Sequence, residues 1–316
     1  MKKKFRIICI LIEFLTIGVS GGFCENLVHK TLDKNAPVVY FTKDISASGL
    51  MKVYRALNQK MSGKTGIKIS FGGPDEQVLD ASLLTELVKT TGGTLIDCNG
   101  LSGNRWTSAM NYALAKANGF SAVGKTQMLD ENGDIDMPVK NGFYLKYART
   151  GSHFDEYDTL IAVHKFKLHY LPALGGNIKN ISICLGSRSG KCIIHSAGKD
   201  DRYYRSTSPE VRAKSFADAA KAAVDYKKNW AFINVLDSFN PQDSCVETKN
   251  PGNIGIIASV DVVALDQCAV DFEIENTDVS EKTKSDWKKT HQVDVLMYAE
   301  QLGLGKRYYR FVNLDD

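Results

Sequence analysis

Acidic residues are missing from one long stretch of the chain. Residues 159–199, forty-one positions, contain neither Asp nor Glu, although the whole chain carries 36 acidic and 40 basic side chains. Six cations and three histidines fall in this stretch: Lys165, Lys167, Lys179, Arg188, Lys191, Lys199, His164, His169 and His195. Because such a one-sided local charge is costly unless an anion neutralises it, we expect a site for a small anionic ligand here.

Signatures of several common protein classes are missing as well. The net charge of +4 is too small to indicate nucleic-acid binding, and no aromatic-and-basic platform or helix-turn-helix pattern occurs. The seven cysteines lack the paired spacing of structural zinc sites. We therefore predict that most of them are buried free thiols. Disulfides are the alternative if the chain enters an oxidising compartment.

The N-terminus has the pattern of an export signal. Four basic residues within positions 2–6 precede an apolar run over 7–19, and small residues follow at 20–22. Glu13 interrupts the run, which is shorter than the ~20 apolar residues of a transmembrane helix. We predict a signal peptide over residues 1–22, no stable membrane span after its removal, and a periplasmic or extracellular protein. A cytoplasmic protein with an amphipathic N-terminus is the alternative.

Short β-branched runs alternate with helical patterns from residue 36 onward. The predicted strands are 38–41, 66–70, 93–98, 159–163, 178–185, 230–235 and 254–259. The predicted helices are 48–60, 81–89, 104–118, 210–226, 262–272 and 292–303, with a hairpin or surface excursion at 130–142. Consecutive strand–helix units favour an α/β fold with a mostly parallel sheet and helices on both faces. We expect a single domain over 36–316, with a two-lobed arrangement as the alternative.

Three polar or glycine-rich turns follow predicted strands, at 71–74, 99–105 and 164–169. Open α/β sheets bind ligands outside the carboxyl ends of their strands, so we expect these turns to contribute to one site. The second turn leads into a helix, which makes its backbone N–H groups and Arg105 candidates to hold a phosphate or carboxylate. An ordinary helix-capping turn is the alternative, because this turn has neither the Walker nor the dinucleotide-binding spacing.

Histidine and cysteine side chains are concentrated in the acid-free stretch. His164 and His169 form a His-x4-His pair, and Cys192 and His195 form a Cys-x2-His pair. Together they are a donor set that suits zinc, nickel or iron, so a bound transition metal is one hypothesis. A second hypothesis gives His164, His169 and His195 a catalytic acid/base role, since imidazole titrates near neutral pH. The third is that each is an ordinary hydrogen-bonded histidine.

Basic and amide side chains supply the candidate anion contacts. The predicted ligand-binding set is Arg105, Lys165, Lys167, Lys179, Asn180 and Lys191. Two acidic residues outside the stretch have separate candidate roles. Asp261 is expected to cap the helix that begins at residue 262. Orienting a His or Lys of the basic stretch is one option for Asp266.

Six short segments form a recognisable set. They are 39–46, 151–154 with Tyr157-Asp158, His164-Lys165-Phe166-Lys167 with His169, 175–182, Gly190-Lys191-Cys192 with His195, and 254–259 continuing to Asp266-Gln267. Taken together they resemble the family known as domain of unknown function 362. The resemblance extends from about residue 36 to the C-terminus and includes the His, Gly-Gly and Gly-Lys-Cys elements of the acid-free stretch.

The resemblance implies little about mechanism. Many members of that family are described as iron–sulfur-centre proteins, and some carry an inserted ferredoxin segment. This chain has no Cys-x2-Cys-x2-Cys run, and only Cys245 lies where the family often has closely spaced cysteines. Because a cubane cluster normally needs four thiolates, we do not expect a ferredoxin-type cluster. The His-rich loop followed by Gly175-Gly176 also bears a fainter, fold-level likeness to the nickel-dependent lactate racemase superfamily.

The combined prediction is a cleft rich in basic side chains that binds a small anionic ligand or cofactor, with acid/base or redox chemistry as its candidate activity. A non-catalytic, exported protein that sequesters an anion or a metal is the alternative. The sequence leaves the reaction, the cofactor and the oligomeric state open.

Overall fold

The computed structural model describes residues 27–60, 62–73, 78–167, 174–237, 252–276, 285, 288, 291 and 293–316. In chain order, its strands are β1 (Val38–Thr42), β2 (Thr65–Lys68), β3 (Thr94–Asp97), β4 (Thr126–Met128), β5 (Asp134–Pro138), β6 (Tyr147–Gly151), β7 (Thr159–Lys165), β8 (Trp230–Leu236), β9 (Gly255–Ser259) and β10 (Arg310–Asn313). The predicted hairpin or excursion at 130–142 is confirmed, because β5 pairs with β6 as a separate antiparallel ribbon.

The helices lie between these strands. They are α1 (Ala47–Ala56), α2 (Thr85–Thr91), α3 (Ser108–Ala117), α4 (Phe120–Val123), α5 (Asn177–Ile181), α6 (Arg188–His195), α7 (Pro209–Tyr226), α8 (Val262–Asn276) and α9 (Asp294–Gln301). Local sequence sets their starts. The Ser208 hydroxyl accepts a hydrogen bond from the N–H of Val211, and Pro209 occupies the first turn of α7, where its missing N–H costs nothing.

The eight described strands other than β5 and β6 form one sheet in the order β10-β1-β9-β8-β7-β2-β3-β4. The neighbouring pairs from β8 to β4 are parallel, as is β1 with β10, whereas β9 is antiparallel to both β1 and β8. The predicted α/β fold with a mostly parallel sheet is therefore confirmed.

A hydrophobic core lies on each face of the sheet. Alternating side chains of β7 show this arrangement, because Leu160 and Ala162 belong to one core and Ile161 and Val163 to the other. Helices α1 to α4 contribute to the second core, and α5 to α9 contribute to the first. Helices thus cover both faces, as the strand–helix alternation predicts.

One predicted strand is wrong. Residues 178–185 begin as helix α5 and continue as turns. Ile178 and Ile181, three residues apart, both face the first core. A short apolar run cannot be assigned to strand or helix by periodicity alone, and here the tertiary contacts of α5 decide the outcome. The predicted helix 104–118 is divided into a 3₁₀ turn at Gly103–Arg105 and helix α3.

The predicted signal peptide, residues 1–22, lies outside the described residues. Within the part of the chain that the structure describes, no helix has the length and apolar character that crossing a membrane requires.

Candidate functional site

The sheet has a topological switch point between β2 and β7. The chain adds β2, β3 and β4 outward in one direction, and then places β7, β8 and β9 on the other side of β2. Ligands in open α/β sheets commonly bind outside the carboxyl ends of the strands at such a point. Residues 74–77 and 168–173, which follow β2 and β7 in the sequence, are outside the described residues, and His169 is among them.

A buried ion pair occupies the carboxyl ends of β2 and β3. Lys68 and Asp97 are the last residues of these strands, and both side chains are fully buried. The Lys68 ammonium donates to Asp97 Oδ1 at 3.0 Å, to Asn180 Oδ1 at 3.0 Å and to the Ile69 carbonyl at 2.8 Å. An ammonium has three N–H groups, and all three of Lys68 have acceptors in the protein. Lys68 therefore has a structural role at the carboxyl ends of β2 and β3.

Buried amides continue this network towards α8. Asn180 Nδ2 donates to Asn177 Oδ1 at 3.2 Å, and Asn177 Nδ2 donates to Asn234 Oδ1 at 3.0 Å. Asn234 Nδ2 in turn donates to Asp266 Oδ1 at 2.8 Å. The predicted ligand-binding residue Asn180 is therefore a structural link between the Lys68–Asp97 pair and this amide chain.

The carboxylate of Asp266 caps helix α5. It accepts hydrogen bonds from the backbone N–H groups of Asn177 at 2.9 Å and Ile178 at 2.7 Å. Burial raises the pKa of Asp266 to about 6, against the opposing effect of these hydrogen bonds. Asp266 therefore positions a helix of the basic stretch instead of one of its His or Lys side chains. Asp261 caps α8 as predicted, accepting from the N–H groups of Val263 and Ala264.

The guanidinium of Arg105 is bound by side chains of the protein itself. It pairs with Asp97, and its Nε donates to Asn111 Oδ1 at 3.1 Å. Burial raises the pKa of Asp97, but the charges of Lys68 and Arg105 more than offset this, so the net pKa lies below its ordinary value. The turn before α3 thus stabilises an internal carboxylate, and Thr107 caps the helix by accepting from the N–H of Met110.

The predicted lysines occupy different environments. Lys165 Nζ lies 2.8 Å from Asp237 Oδ1. Lys191 is buried and donates to the Gly186 carbonyl. Burial lowers its pKa, while Asp97 and Asp130 are among the groups that oppose the shift. Arg105 thus pairs with Asp97, Asn180 binds its partner Lys68, and the charge of Asp97 acts on Lys191, so all three belong to the protein's own polar network.

The two remaining lysines lie near the start of α5. Lys167 is half-buried, and its backbone N–H donates to the Gly175 carbonyl at 2.9 Å. Lys179 lies in α5, and its charge contributes to lowering the pKa of His195. These two residues remain predicted ligand contacts.

His195 is held as a neutral ring. It lies at the end of α6, with its ring centroid 4.8 Å from Tyr204 and 5.9 Å from Phe216. Burial, together with the positive charges of Arg212, Lys191 and Lys179, lowers its pKa to about 4. A side chain of this kind is uncharged at neutral pH and packs as an aromatic group.

The three predicted metal ligands that the structure describes, His164, Cys192 and His195, do not form a metal centre with one another. No group of three or more His, Cys, Asp or Glu side chains that could hold a metal ion occurs among the described residues. His164 is half-buried on β7 beside Asn234 of β8, while Cys192 and His195 lie on α6. The fourth candidate, His169, lies outside the described residues.

Three described cysteines, Cys98, Cys184 and Cys192, are free thiols. Cys98 and Cys192 are buried and Cys184 is half-buried, and Cys268 is buried as well. Burial raises the pKa of the Cys192 thiol, with Asp200 adding to the effect. For Cys98, Cys184 and Cys192 the prediction of free thiols is confirmed.

An open cleft of about 490 Å³ lies beside the start of α6. It is lined by Leu101, Trp106, Arg188, Ser189, Cys192, Asp201, Arg202, Tyr203 and Tyr204. One wall is the segment between β3 and α3, another is α6, and the third is the loop that follows α6. The cleft thus combines two guanidinium groups with three aromatic rings.

Arg188 and Trp106 are in direct contact in this cleft. The guanidinium carbon of Arg188 lies 3.3 Å from the centroid of the Trp106 ring. At this distance the guanidinium must lie nearly flat on the ring, because tilting would force a nitrogen into it. Arg188 Nε is buried and has no hydrogen-bond partner among the described residues. A buried N–H without an acceptor is costly, and the described residues leave this donor of the guanidinium unsatisfied.

Sequence reasoning recognised Arg188 only as one cation of the acid-free stretch. The cluster of two arginines and two tyrosines in Arg202-Tyr203-Tyr204-Arg205 was a usable signal, because Arg and Tyr are both common in binding sites. Trp106 carried no signal of its own, since a single tryptophan is ordinarily a core residue.

Residues 66–271 match the family described as Domain of unknown function (DUF362). The match covers more than half of the chain. The chain belongs to this family.

No curated protein matches the chain significantly. Among solved structures, the DUF362 chain is similar to the lactate racemase apoprotein from Thermoanaerobacterium thermosaccharolyticum, with 15% sequence identity and a TM-score of 0.45. The similarity covers 74% of this chain and 56% of that protein. The chain therefore spans little more than half the length of the racemase.

The Gly175-Gly176 element of the DUF362 chain has a packing role. A Cβ atom on Gly175 would lie 2.2 Å from the backbone oxygen of Lys167, and one on Gly176 would lie 2.6 Å from the carboxyl group of Asp266. Both distances are far shorter than a van der Waals contact. The two glycines thus allow the chain to approach β7 and α8 closely enough for Asp266 to cap α5.

A Walker-type spacing is present in the DUF362 chain at residues 119–126, Gly-x4-Gly-Lys-Thr. In the structure Gly119 precedes the short helix α4, and Thr126 begins strand β4. The order is helix, turn, strand, whereas a phosphate-binding loop connects a strand to the N-terminus of a helix. This spacing is therefore a chance match without the geometry that binds phosphate.

Proposed function

We propose that this DUF362 protein binds a small anionic ligand in the cleft beside α6, with Arg188 as the principal contact. The observation that carries the proposal is the buried, unpaired Nε of Arg188 on a guanidinium held against Trp106. The Trp106 contact uses the face of the guanidinium, whereas its N–H groups lie in the guanidinium plane. Those donors can therefore form charge-assisted hydrogen bonds with a carboxylate or phosphate.

The charges around Arg188 favour an anion. Arg202 lines the same cleft and its side chain is exposed. The single lining carboxylate, Asp201, lies 3.4 Å from the guanidinium of Arg149. Part of its negative charge is thus balanced from outside the cleft, and the two cleft arginines leave an excess of positive charge for the ligand.

The titratable side chains at this cleft support binding without a reaction. The thiol of Cys192 has a raised pKa, so it is not an activated thiolate. His195 lies behind Tyr204 and is neutral near pH 7 because its pKa is lowered to about 4. These properties favour the non-catalytic alternative over acid/base chemistry in this cleft.

The test is calorimetric titration of the purified chain with phosphate, pyrophosphate, oxalate and citrate. We expect Arg188→Gln to weaken the binding of each bound anion by roughly tenfold or more, as loss of a charge-assisted hydrogen bond implies. Arg55→Gln is the matched control, because it removes the same charge from an exposed position on α1 that does not line the cleft. Equal anion affinities for the two variants would overturn the proposal.

We also propose that the protein is exported. The support is the basic start, the apolar run and the small residues at 20–22. Expression of the full chain in a Gram-negative host, followed by fractionation and N-terminal sequencing, tests this. Mature protein in the periplasm that begins shortly after residue 22 is the expected result. Uncleaved protein confined to the cytoplasm would contradict export.

A further inference from the structure

We infer that the ligand of the cleft carries a planar aromatic ring next to its anionic group. This inference rests on the proposed function, because it assumes that Arg188 receives the anion. The aromatic side chains that line the cleft indicate which group the ligand carries besides its anion.

The first observation is the convergence of exposed aromatic side chains. Trp106, Tyr203 and Tyr204 are 44%, 66% and 52% exposed, and all three line the same cleft. Single exposed aromatics are normal on a protein surface, but several in one concave site indicate a binding surface. The cleft volume of about 490 Å³ is suited to a small organic molecule and exceeds what a bare inorganic anion fills.

The second observation is that the tyrosine loop is fixed by its own hydrogen bonds. Asp200 accepts from the backbone N–H groups of Arg202 at 2.9 Å and Tyr203 at 3.0 Å. The hydroxyl of Ser196, at the end of α6, accepts from the N–H of Asp200 at 2.9 Å. The loop is thereby attached to the helix that carries Arg188, so little ordering is needed when a ligand binds.

The third observation is the support behind Tyr204. Its ring lies against His195, which lies in turn against Phe216 of α7. Because His195 is neutral, this arrangement places no charge behind the tyrosine. Packing against His195 restricts the movement of the Tyr204 ring, so less side-chain entropy is lost when a ligand contacts that ring.

The two recognition elements are complementary. Arg188 is held flat on Trp106, which leaves its in-plane N–H groups for the anion. Tyr203 and Tyr204 line the cleft with exposed rings, and stacking on aromatic side chains tolerates many ring types. The expected ligand therefore contains both an aromatic ring and a carboxylate or phosphate group. Aryl carboxylates and nucleotides are two classes of molecule that meet this description.

The experiment compares pairs of anions that differ in their ring, by calorimetry on the full chain. Benzoate is paired with cyclohexanecarboxylate, and adenosine monophosphate with ribose 5-phosphate. We expect the aromatic member of at least one pair to bind about tenfold more tightly, the effect of one stacked ring. The pair that shows the preference distinguishes the aryl carboxylate from the nucleotide.

Variants of Tyr203 test the stacking itself. Tyr203→Leu is expected to remove most of the aromatic preference, and Tyr203→Phe to retain it. Tyr308→Leu is the matched control, because Tyr308 is 60% exposed and does not line the cleft.

The outcomes separate this inference from the proposed function. If both members of each pair bind equally well and both lose affinity in Arg188→Gln, the anion site stands and the aromatic inference is overturned. If no anion depends on Arg188, the proposed function itself fails. An aromatic preference that survives Tyr203→Leu unchanged would also overturn the inference.

Discussion

Lys68 Nζ lies 3.0 Å from Asp97 Oδ1, and both side chains are completely buried at the ends of neighbouring strands. Arg105 and Asn180 complete the surroundings of this pair. Two residues predicted to contact a ligand are therefore engaged by an internal carboxylate and an internal ammonium. The network gives these polar residues at the carboxyl ends of β2 and β3 a structural role that does not depend on a ligand.

Lys68→Met should destabilise the protein strongly. The change leaves the Asn180 carbonyl and one oxygen of Asp97 buried without the ammonium, and breaking a buried pair typically costs about 3–5 kcal/mol. Denaturant unfolding measures this. Lys52→Met is the control, since Lys52 pairs with Asp315 at an exposed site where an ion pair contributes little. Similar losses in the two variants would show that the buried network does not stabilise the fold.

Asp266 should make stability fall as pH rises. Its folded-state pKa of about 6 lies above its ordinary value, so the folded state holds this proton more tightly than the unfolded state. The contribution of the protonated Asp266 to the free energy of unfolding is complete below about pH 4 and is lost as pH rises through about 6. Relative to Asp266→Asn, which cannot titrate, the wild-type free energy of unfolding should drop by roughly 2–3 kcal/mol across this window. A pH-independent difference between the two proteins would refute the assignment.

His195 should have the opposite pH dependence. Its pKa is lowered to about 4 by burial and neighbouring cations. Its contribution to stability is therefore present above its ordinary pKa of about 6.5 and is lost as pH falls through about 4. His195→Phe keeps a ring between Tyr204 and Phe216 but removes this acid sensitivity. NMR titration of the imidazole gives a direct readout, and a midpoint near 6.5 would contradict the buried, neutral assignment.

Gly190→Ala should be poorly tolerated. A Cβ atom at Gly190 would lie 1.9 Å from the backbone oxygen of Arg149, so α6 would have to move away from β6. Overpacking of this kind costs at least about 1–3 kcal/mol. Gly186→Ala is the matched control, because its nearest neighbour would be 3.3 Å away. Thermal unfolding of both variants checks the prediction, which fails if they melt at the same temperature.

Much of the fold could be predicted from local pattern. Alternating strands and helices gave the mostly parallel sheet, and the Asp261 cap followed from a short-range signal. The run 178–185 was wrongly predicted as a strand, because the contact that caps its helix comes from Asp266. That partner is 88 residues away from Ile178 in the sequence, and no local propensity contains it.

The candidate site was less predictable than the fold. The absence of acidic residues predicted an anion site within residues 159–199, and Arg188 was one of the six cations in that stretch. Which cation remains available depends on where each acceptor lies. Lys165 meets Asp237 and Lys191 meets the Gly186 carbonyl, while Arg188 rests on Trp106 with its Nε unpaired.

The sequence by itself determined that this chain forms an α/β sheet and concentrates positive charge in one acid-free segment, because periodicity and composition are local properties. Only the tertiary structure decided how that charge is used. In the folded chain most of the predicted contacts are engaged by groups of the protein itself, whereas Arg188 is placed beside three exposed aromatic rings. The difference arises because a cation's availability depends on the three-dimensional positions of its partners, which neighbouring residues in the chain do not specify.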